Sequence, residues 1–238
     1  MTIQTTFKKA SLFSASALAL AVALAFGIQY RGDGGTGSMG LPDVRGLLGR
    51  PDYRLLAAAG FFYGAAIFTT TAYVVLYLTE SVGAAAGVAG SVLALVQLTG
   101  SGGRIGGGAL VDRLRLDDAR ASAFVLVGQS AVGAACLVAV TAVDTGLAAA
   151  VGFATLGLFV FGVPATYYAC MTALVPSDRV GEATAGGQLT INAGGLLAPP
   201  AFGYLVDTAG YTTGWLALAG GVAVAALLTG WLTVLTRA

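Results

Sequence analysis

Seven uninterrupted apolar stretches, each long enough to cross a lipid bilayer as a helix, dominate this sequence. A hydrocarbon core of about 30 Å needs about 20 apolar residues in a helix. The strands of a membrane barrel would instead show alternating patterns over about ten residues. The predicted segments are Ala10–Ile28, Leu55–Leu78, Gly87–Val111, Ala119–Val143, Leu147–Val175, Ala183–Val206 and Thr213–Leu235. The sequence therefore predicts an all-α, polytopic membrane helix bundle with seven transmembrane helices.

The residue types that are scarce or missing exclude several classes of function. Charged residues make up 10% of the chain and hydrophobic residues 57%, which is too little charge to cover a soluble domain. There is no histidine, and the lysines are Lys8 and Lys9, so histidine metal sites, a catalytic histidine and a Schiff-base lysine in a late helix are excluded. We predict a protein that is not an enzyme, holds no metal or cofactor and, at a net charge of +1, does not bind nucleic acid.

The chain divides at its longest polar stretch. We predict that residues 1–28 form an N-terminal transmembrane helix, residues 29–54 a cytoplasmic linker, and residues 55–238 a six-helix transmembrane bundle. The first part of the linker is rich in glycine and is predicted to be flexible. Its second part, Pro42–Arg54, mixes leucines with arginines, which predicts a short amphipathic helix on the membrane surface.

The arginines between the spans and at their ends predict the orientation. Nine of them fall on one side of the membrane: Arg31, Arg45, Arg50, Arg54, Arg113, Arg115, Arg120, Arg179 and Arg237. The loops on the other side carry Glu80, Asp144 and Asp207 but no lysine or arginine. By the positive-inside rule, the arginine side, including the C-terminus, is cytoplasmic in a multi-pass protein of the cytoplasmic membrane.

Seven spans would leave the N-terminus, with Lys8 and Lys9, on the outer side. A cleaved signal peptide ending near Ala25-Phe26-Gly27 is the alternative interpretation of this region. Cleavage would place all nine arginines on the wrong face. We therefore favour Ala10–Ile28 as an internal helix of a longer polypeptide.

A five-residue pattern occurs at the ends of two segments. Gly108–Asp112 and Gly203–Asp207 both read G-x-L-V-D, 95 residues and three segments apart. Because three is odd, the two copies would end on opposite membrane faces, as in the inverted repeats of secondary transporters. A chance match in a chain rich in glycine, leucine and valine is the alternative.

The stretch Gly102–Leu114 resembles a signature of the major facilitator superfamily, a G-x-x-x-D-R element that follows the second helix of each six-helix half. Gly108, Asp112 and Arg113 match this element, whereas the more basic continuation is degenerate in Leu114–Asp117. Pro176–Gly181 and the glycine-rich sixth segment with Pro199-Pro200 also look like the C-terminal half of the family.

The resemblance implies a C-terminal half, with Ala10–Ile28 as the sixth helix, Gln29–Arg54 as the central loop and the rest as helices seven to twelve. The family transports small solutes, actively or by facilitation, by rocking two six-helix halves with a 3+3 inverted repeat in each. We expect part of a larger or truncated transporter, whose partner is the missing N-terminal half or a second copy. A non-transporting membrane subunit or scaffold that binds partner helices is the alternative.

The resemblance also implies a gate. In the family, the aspartate of the loop element packs at the positive end of a helix of the other half, and the adjacent arginine pairs with acidic groups. A carboxylate is stabilised there by about 0.3–1 kcal/mol. Asp112 and Arg113 are the gating candidates, and an ordinary loop turn with solvated charges is the alternative.

Arg104 is a charged residue well inside the third segment, which makes it a candidate for contact with an anionic substrate. It is also near enough to the cytoplasmic face to pair or snorkel. On the segments that line the cavity in the family, the other substrate-binding candidates are Thr69, Tyr73, Gln97, Tyr167, Gln188 and Asn192. Pro164 is expected to break its helix and free backbone carbonyls. Helix–helix hydrogen bonding is the alternative for each polar residue, and a small organic anion is the favoured substrate class.

Overall fold

The computed structural model describes residues 44–142 and 145–236, in which every regular element is helical. In chain order the α-helices are α1 (Val44–Leu48), α2 (Pro51–Glu80), α3 (Ala86–Arg113), α4 (Asp118–Val140), α5 (Gly146–Leu156), α6 (Val163–Ala173) and α7 (Val180–Leu235). A π-helical turn, Gly157–Phe161, joins α5 to α6, and a 3₁₀ turn, Ser177–Arg179, precedes α7.

Five helical stretches of the described residues are long and apolar enough to cross a membrane. They are Pro51–Glu80, Ala86–Arg113, Asp118–Val140, Gly146–Ala173 and Ser177–Leu235. This confirms the predicted all-α membrane helix bundle. The predicted first segment, Ala10–Ile28, and most of the linker lie outside the described residues, so the count of seven helices stays a prediction.

The second predicted segment begins earlier than its hydropathy indicated. Helix α2 begins at Pro51, whose missing N–H costs nothing at a first helical position. Asp52 accepts a hydrogen bond from the Tyr53 backbone N–H at 2.8 Å. Its carboxylate also forms an ion pair with Arg50, at 2.7 Å. The hydrogen bond to Asp52 raises the pKa of the Arg50 guanidinium. The amphipathic helix expected over Pro42–Arg54 is correspondingly shorter, a five-residue helix with Leu47 buried.

The long helix α7 breaks at one residue. Gly210 has φ 81° and ψ 166°, a conformation open essentially to glycine alone, and it divides the 56 residues of α7 into two arms. The sequence predicts two separate segments here, with a loop around Asp207. In the structure, Gly210 replaces the predicted loop, and helical hydrogen bonding resumes directly after this residue.

Helices α2 and the first arm of α7 cross at closely apposed glycines. A Cβ at Gly64 would overlap the carbonyl oxygen of Ile191, and a Cβ at Gly194 would overlap that of Phe61. Between membrane helices, such backbone approach replaces the hydrophobic effect as a source of packing energy. The pair therefore sets the spacing of the two helices.

Aromatic side chains fill the bundle at the end of α2. The Trp215 ring is fully buried and lies 4.9 Å from Phe202, 5.6 Å from Tyr77 and 5.7 Å from Phe153, measured between centroids. The Tyr77 hydroxyl donates to the carbonyl of Val140 at 2.9 Å. These edge contacts tie α2, α4, α5 and both arms of α7 together.

Nearer the start of α2, a second buried cluster contains hydrogen-bonded tyrosines. The Tyr53 hydroxyl donates to the carbonyl of Ala183 at 3.1 Å, and the Tyr63 hydroxyl is 2.8 Å from Ser130 Oγ. The Tyr63 ring also packs edge-on against Tyr167, with centroids 6.0 Å apart. These bonds connect α2 to α4, α6 and α7.

We expect Tyr63→Phe to lower the free energy of unfolding in lipid by about 0.6 kcal/mol and by no more than about 1.7 kcal/mol, the range for hydrogen bonds between membrane helices. The loss is small because Ser130 keeps its bond to the carbonyl of Leu126. The control is Tyr204→Phe, at a tyrosine that is 68% exposed. Equal unfolding midpoints for the two variants in a detergent titration would contradict this expectation.

Candidate functional site

Three polar side chains on α6 and the first arm of α7 form a hydrogen-bonded row. The Tyr168 hydroxyl donates to Gln188 Oε1, and Gln188 Nε2 donates to Asn192 Oδ1 at 2.8 Å. Gln188 and Asn192 are exposed and lie four residues apart, so they share one face of α7. The Asn192 amide N–H groups have no partner among the described residues and remain available to a ligand.

Arg104 lies on α3 and is exposed. Its Nε donates to the carbonyl oxygen of Phe161 at 3.2 Å. Phe161 ends the π-helical turn, and Pro164 lacks the N–H that an α-helix would direct to the carbonyl of Val160, so the helical ladder is interrupted next to the carbonyl that accepts from Arg104. No acidic side chain of the described residues pairs with Arg104. Its two terminal nitrogens therefore remain open while the bond at Nε fixes the side chain.

Glycines determine how closely α3 approaches this turn. A Cβ at Gly103 would overlap the carbonyl oxygen of Leu158, and one at Gly100 would lie 2.6 Å from the Phe161 Cβ. Contact between α3 and the π-helical turn is thus backbone to backbone. This close approach brings the Arg104 guanidinium within reach of the Phe161 carbonyl. The sequence marks Arg104 and Pro164 as separate features and does not predict the contact.

The remaining substrate-binding candidates are not gathered in one place. Gln97 is exposed on α3, seven residues before Arg104 and therefore on the same face. Tyr73 is half-buried, with its ring 4.8 Å from that of Phe202. Thr69 and Tyr167 are fully buried. Any ligand contact by these two side chains would require the helices to move.

The buried Tyr167 hydroxyl is 3.4 Å from Thr190 Oγ1 and 3.5 Å from the carbonyl of Gly187. The Thr69 hydroxyl oxygen has no hydrogen-bond partner among the described residues. Tyr167 therefore matches the alternative of helix–helix hydrogen bonding, whereas Thr69 matches neither reading in this conformation. Ligand contact by either residue stays a prediction.

Two buried polar groups beside Gly107 were not anticipated from the sequence. Gln129 is 7% exposed, and neither its Oε1 nor the Thr166 Oγ1 has a partner among the described residues. A Cβ at Gly107 would lie 2.7 Å from Thr166 Oγ1 and 3.0 Å from Gln129 Nε2. Gln129 is the only glutamine of the fourth predicted segment, and that isolated amide is the signal that could have identified it.

The gating candidates Asp112 and Arg113 end α3, and both are exposed. Neither forms an ion pair within the described part of the chain. The positive charge of Arg113 is favourable at the negative end of the helix dipole, whereas the carboxylate of Asp112 is not. A cationic partner or the N-terminus of another helix would stabilise Asp112, so the gating role stays a prediction.

Comparison with known proteins gives a consistent answer. A family model described as Major Facilitator Superfamily matches residues 10–188 and also residues 56–238. The crystal structure of the E. coli fucose:proton symporter, FucP, has a TM-score of 0.67 at 20% identity, covering 84% of this chain and 47% of that chain.

A second structure, of FucP in the outward conformation, has a TM-score of 0.66 at 20% identity, covering 90% of this chain and 52% of that chain. The chain thus spans about half the length of the solved structures it matches. At this identity the likeness shows the fold. No match is found among curated protein sequences.

Proposed function

Because the chain belongs to the Major Facilitator Superfamily, we propose that it provides one half of a secondary active or facilitative transporter for a small solute. The observation that carries the proposal is Arg104, an exposed cation on a membrane helix, held by the carbonyl of Phe161 with its terminal nitrogens unpaired. An ionisable residue inside a membrane span is costly and is a candidate for a functional site by default, so we assign Arg104 a role in binding.

The substrate class follows from the same group. A guanidinium fixed at Nε presents a planar fork that matches a carboxylate, so we propose a small organic anion. The row Tyr168–Gln188–Asn192 offers neutral donors and acceptors for the rest of the solute. In this proposal Gln97 lies at the rim of the solute path, and Thr69, Tyr73 and Tyr167 contact the solute only after the helices rearrange.

The proposed topology is that of the C-terminal half. The helices described here, with α7 counted as two spans, and the predicted helix Ala10–Ile28 would give seven spans with a cytoplasmic C-terminus. The shared pattern at Gly108–Asp112 and Gly203–Asp207 supports an inverted repeat of three helices each. The complementary half is either another part of the polypeptide or a second copy, and Asp112 and Arg113 would close against it.

The test is flux in proteoliposomes containing the purified 238-residue chain, with radiolabelled lactate, benzoate and succinate as probes. Saturable uptake of any of the three supports a transporter assembled from two copies. Binding of a probe without uptake, seen as a rise in the unfolding temperature, supports a half that needs its complement. If none of the three probes binds and none is taken up, the proposed substrate class is refuted.

We expect Asn192→Ala to raise the dissociation constant of the bound probe by about two- to tenfold, the equivalent of one hydrogen bond. The substitution removes the acceptor of Gln188 Nε2 and a pair of exposed donors. Thr184→Ala is the control, because its hydroxyl is bonded within its own helix, to the carbonyl of Val180 at 2.9 Å. Equal dissociation constants for both variants would remove the row from the binding site.

One observation favours the alternative, a non-transporting subunit or scaffold that binds partner helices. Large apolar side chains on α3 and α7 are exposed, including Ile105 at 77% and Leu196 at 74%. Exposed apolar surface of this kind is ordinary toward lipid, and it also suits contact with another helix. Cross-linking from Ile105→Cys to a partner in membranes that show no flux would favour the scaffold.

A further inference from the structure

A groove runs between α3, α4 and the π-helical turn, and none of its lining residues belongs to the row of polar residues described above. Its cavity volume is about 420 Å³, within the range of small-molecule sites. Four of the twelve residues that line the groove are glycines, Gly103, Gly106, Gly107 and Gly128, and their missing side chains leave the space open. Leucine, valine and phenylalanine side chains supply most of the remaining wall, so the interior is suited to hydrocarbon.

The α4 wall of the groove continues to a cation. Phe124, Gly128 and Val132 line the groove at intervals of four residues, and Arg120 occupies the preceding position on the same helix face. The Arg120 guanidinium carbon lies 5.7 Å from the centroid of the Phe124 ring. Arg120 therefore stands at the mouth of the groove, at the end of α4 that the positive-inside rule assigns to the cytoplasmic surface.

Within the described part of the chain, this cation has no counter-ion. Arg120 Nε is buried without a hydrogen-bond partner, and Arg120 forms no ion pair within the described residues, although Asp117 and Asp118 are close in sequence. Burying an unpaired donor of a charged group is costly. The Arg120 side chain as a whole is only half-buried, so an anionic group from outside the chain can approach the guanidinium and compensate its charge.

We propose that this groove binds one acyl chain of an anionic phospholipid, with the phosphate of its headgroup against Arg120. Lipid is the molecule that a membrane bundle meets at the highest concentration. The apolar interior of the groove matches an acyl chain, and the cation at its mouth matches the phosphate of the headgroup. Basic pockets between helices on the cytoplasmic side are suited to anionic headgroups. The groove from Phe124 to Val132 is about 12 Å long at 1.5 Å per residue.

The test for the acyl chain fills the groove with a side chain that meets no obstacle. Around Gly106 and around Gly108, an added Cβ has no neighbour within 4 Å, but only Gly106 lines the groove. The full chain, in detergent, is titrated with dioleoylphosphatidylglycerol and read by native mass spectrometry. We expect Gly106→Leu to reduce lipid retention by about tenfold or more and Gly108→Leu to leave it unchanged. Equal retention in the two variants, high or low, would overturn the proposal.

The test for the headgroup compares phosphatidylglycerol with phosphatidylcholine. We expect Arg120→Gln to reduce the preference for the anionic lipid about fivefold, the factor that one cation near a phosphate contributes. Arg115→Gln, in the exposed loop after α3, is the control and should keep the preference. An unchanged preference in Arg120→Gln would overturn the assignment of the headgroup site, as would displacement of the lipid by inorganic phosphate.

A second copy of the chain is the other possible occupant of the groove. If the chain forms a dimer that Gly106→Leu dissociates, the groove holds a second copy and the lipid proposal is overturned.

Discussion

The variant Gly194→Ala is expected to lose at least about 3 kcal/mol of unfolding free energy, the upper end of the usual cost of overpacking. A single added methyl group would overlap the carbonyl oxygen of Phe61, and its other near neighbours, the Phe61 carbonyl carbon and the Ala65 nitrogen, are also backbone atoms at 2.8 Å. A flexible side chain can rotate away from such a contact, whereas two helix backbones must separate. Separation would break the facing contact of Gly64 with Ile191 as well.

The matched control for this change is Gly220→Ala, on the second arm of the same helix. A Cβ at Gly220 has no neighbour within 4 Å, so the substitution should leave stability unchanged or raise it slightly, because alanine favours a helix over glycine. Tryptophan fluorescence during detergent-induced unfolding reports the midpoint of each variant, because unfolding exposes the buried Trp215 while Trp231 is already exposed. If the two midpoints coincide, the crossing of α2 and α7 does not depend on glycine contact.

The second large effect is expected at Arg104. Arg104→Gln removes the charge, and Arg104→Lys keeps it but replaces the fork with a single ammonium that cannot bond to Phe161 and hold a carboxylate bidentately. A charge-assisted hydrogen bond contributes about 1.5–3 kcal/mol, so we expect binding of the carboxylate probe to weaken about 10- to 100-fold in both variants. The measurement is the dissociation constant in nanodiscs, together with flux wherever the chain transports.

Two controls separate binding from stability at this site. Ser101→Ala lies on the same exposed face of α3, and its hydroxyl is already bonded to the carbonyl of Gln97 at 3.2 Å, so it should bind the probe like the unmodified chain. The unfolding midpoint of Arg104→Gln shows whether the bond to Phe161 stabilises the fold. Wild-type affinity in Arg104→Gln would refute the anion-binding role, and a lower midpoint with wild-type affinity would identify Arg104 as a structural residue.

Both predictions concern helices that approach each other closely at glycines. At Gly64, Gly103 and Gly194 the neighbour of the missing side chain is a carbonyl group of another helix. At Gly106 and Gly128 it is the open groove. The same residue type thus serves close packing in one place and leaves an open groove in another, and the sequence does not distinguish these uses.

The sequence by itself determined the class of the fold and most of the helix ends. Long apolar runs with little charge leave helices as the structure that satisfies backbone hydrogen bonds in lipid, and the described spans agree with the predicted segments within a few residues at most ends. The G-x-x-x-D-R element around Asp112 identified the family that the comparison then showed. Pro164 marked the helix whose hydrogen-bond ladder is interrupted. Arg104 was recognisable because it is a charged residue inside a predicted membrane span.

The tertiary structure alone decided which face of each helix is buried. In water an apolar face identifies the core, but in a bilayer both the lipid and the bundle interior are apolar, so the pattern along a helix loses that information. For this reason Thr69 and Tyr167 are buried and Gln97 and Asn192 are exposed, although the sequence predicted one role for all four. The bond from Arg104 to Phe161 is likewise invisible in one dimension, because it joins positions 57 residues apart through a contact between backbones.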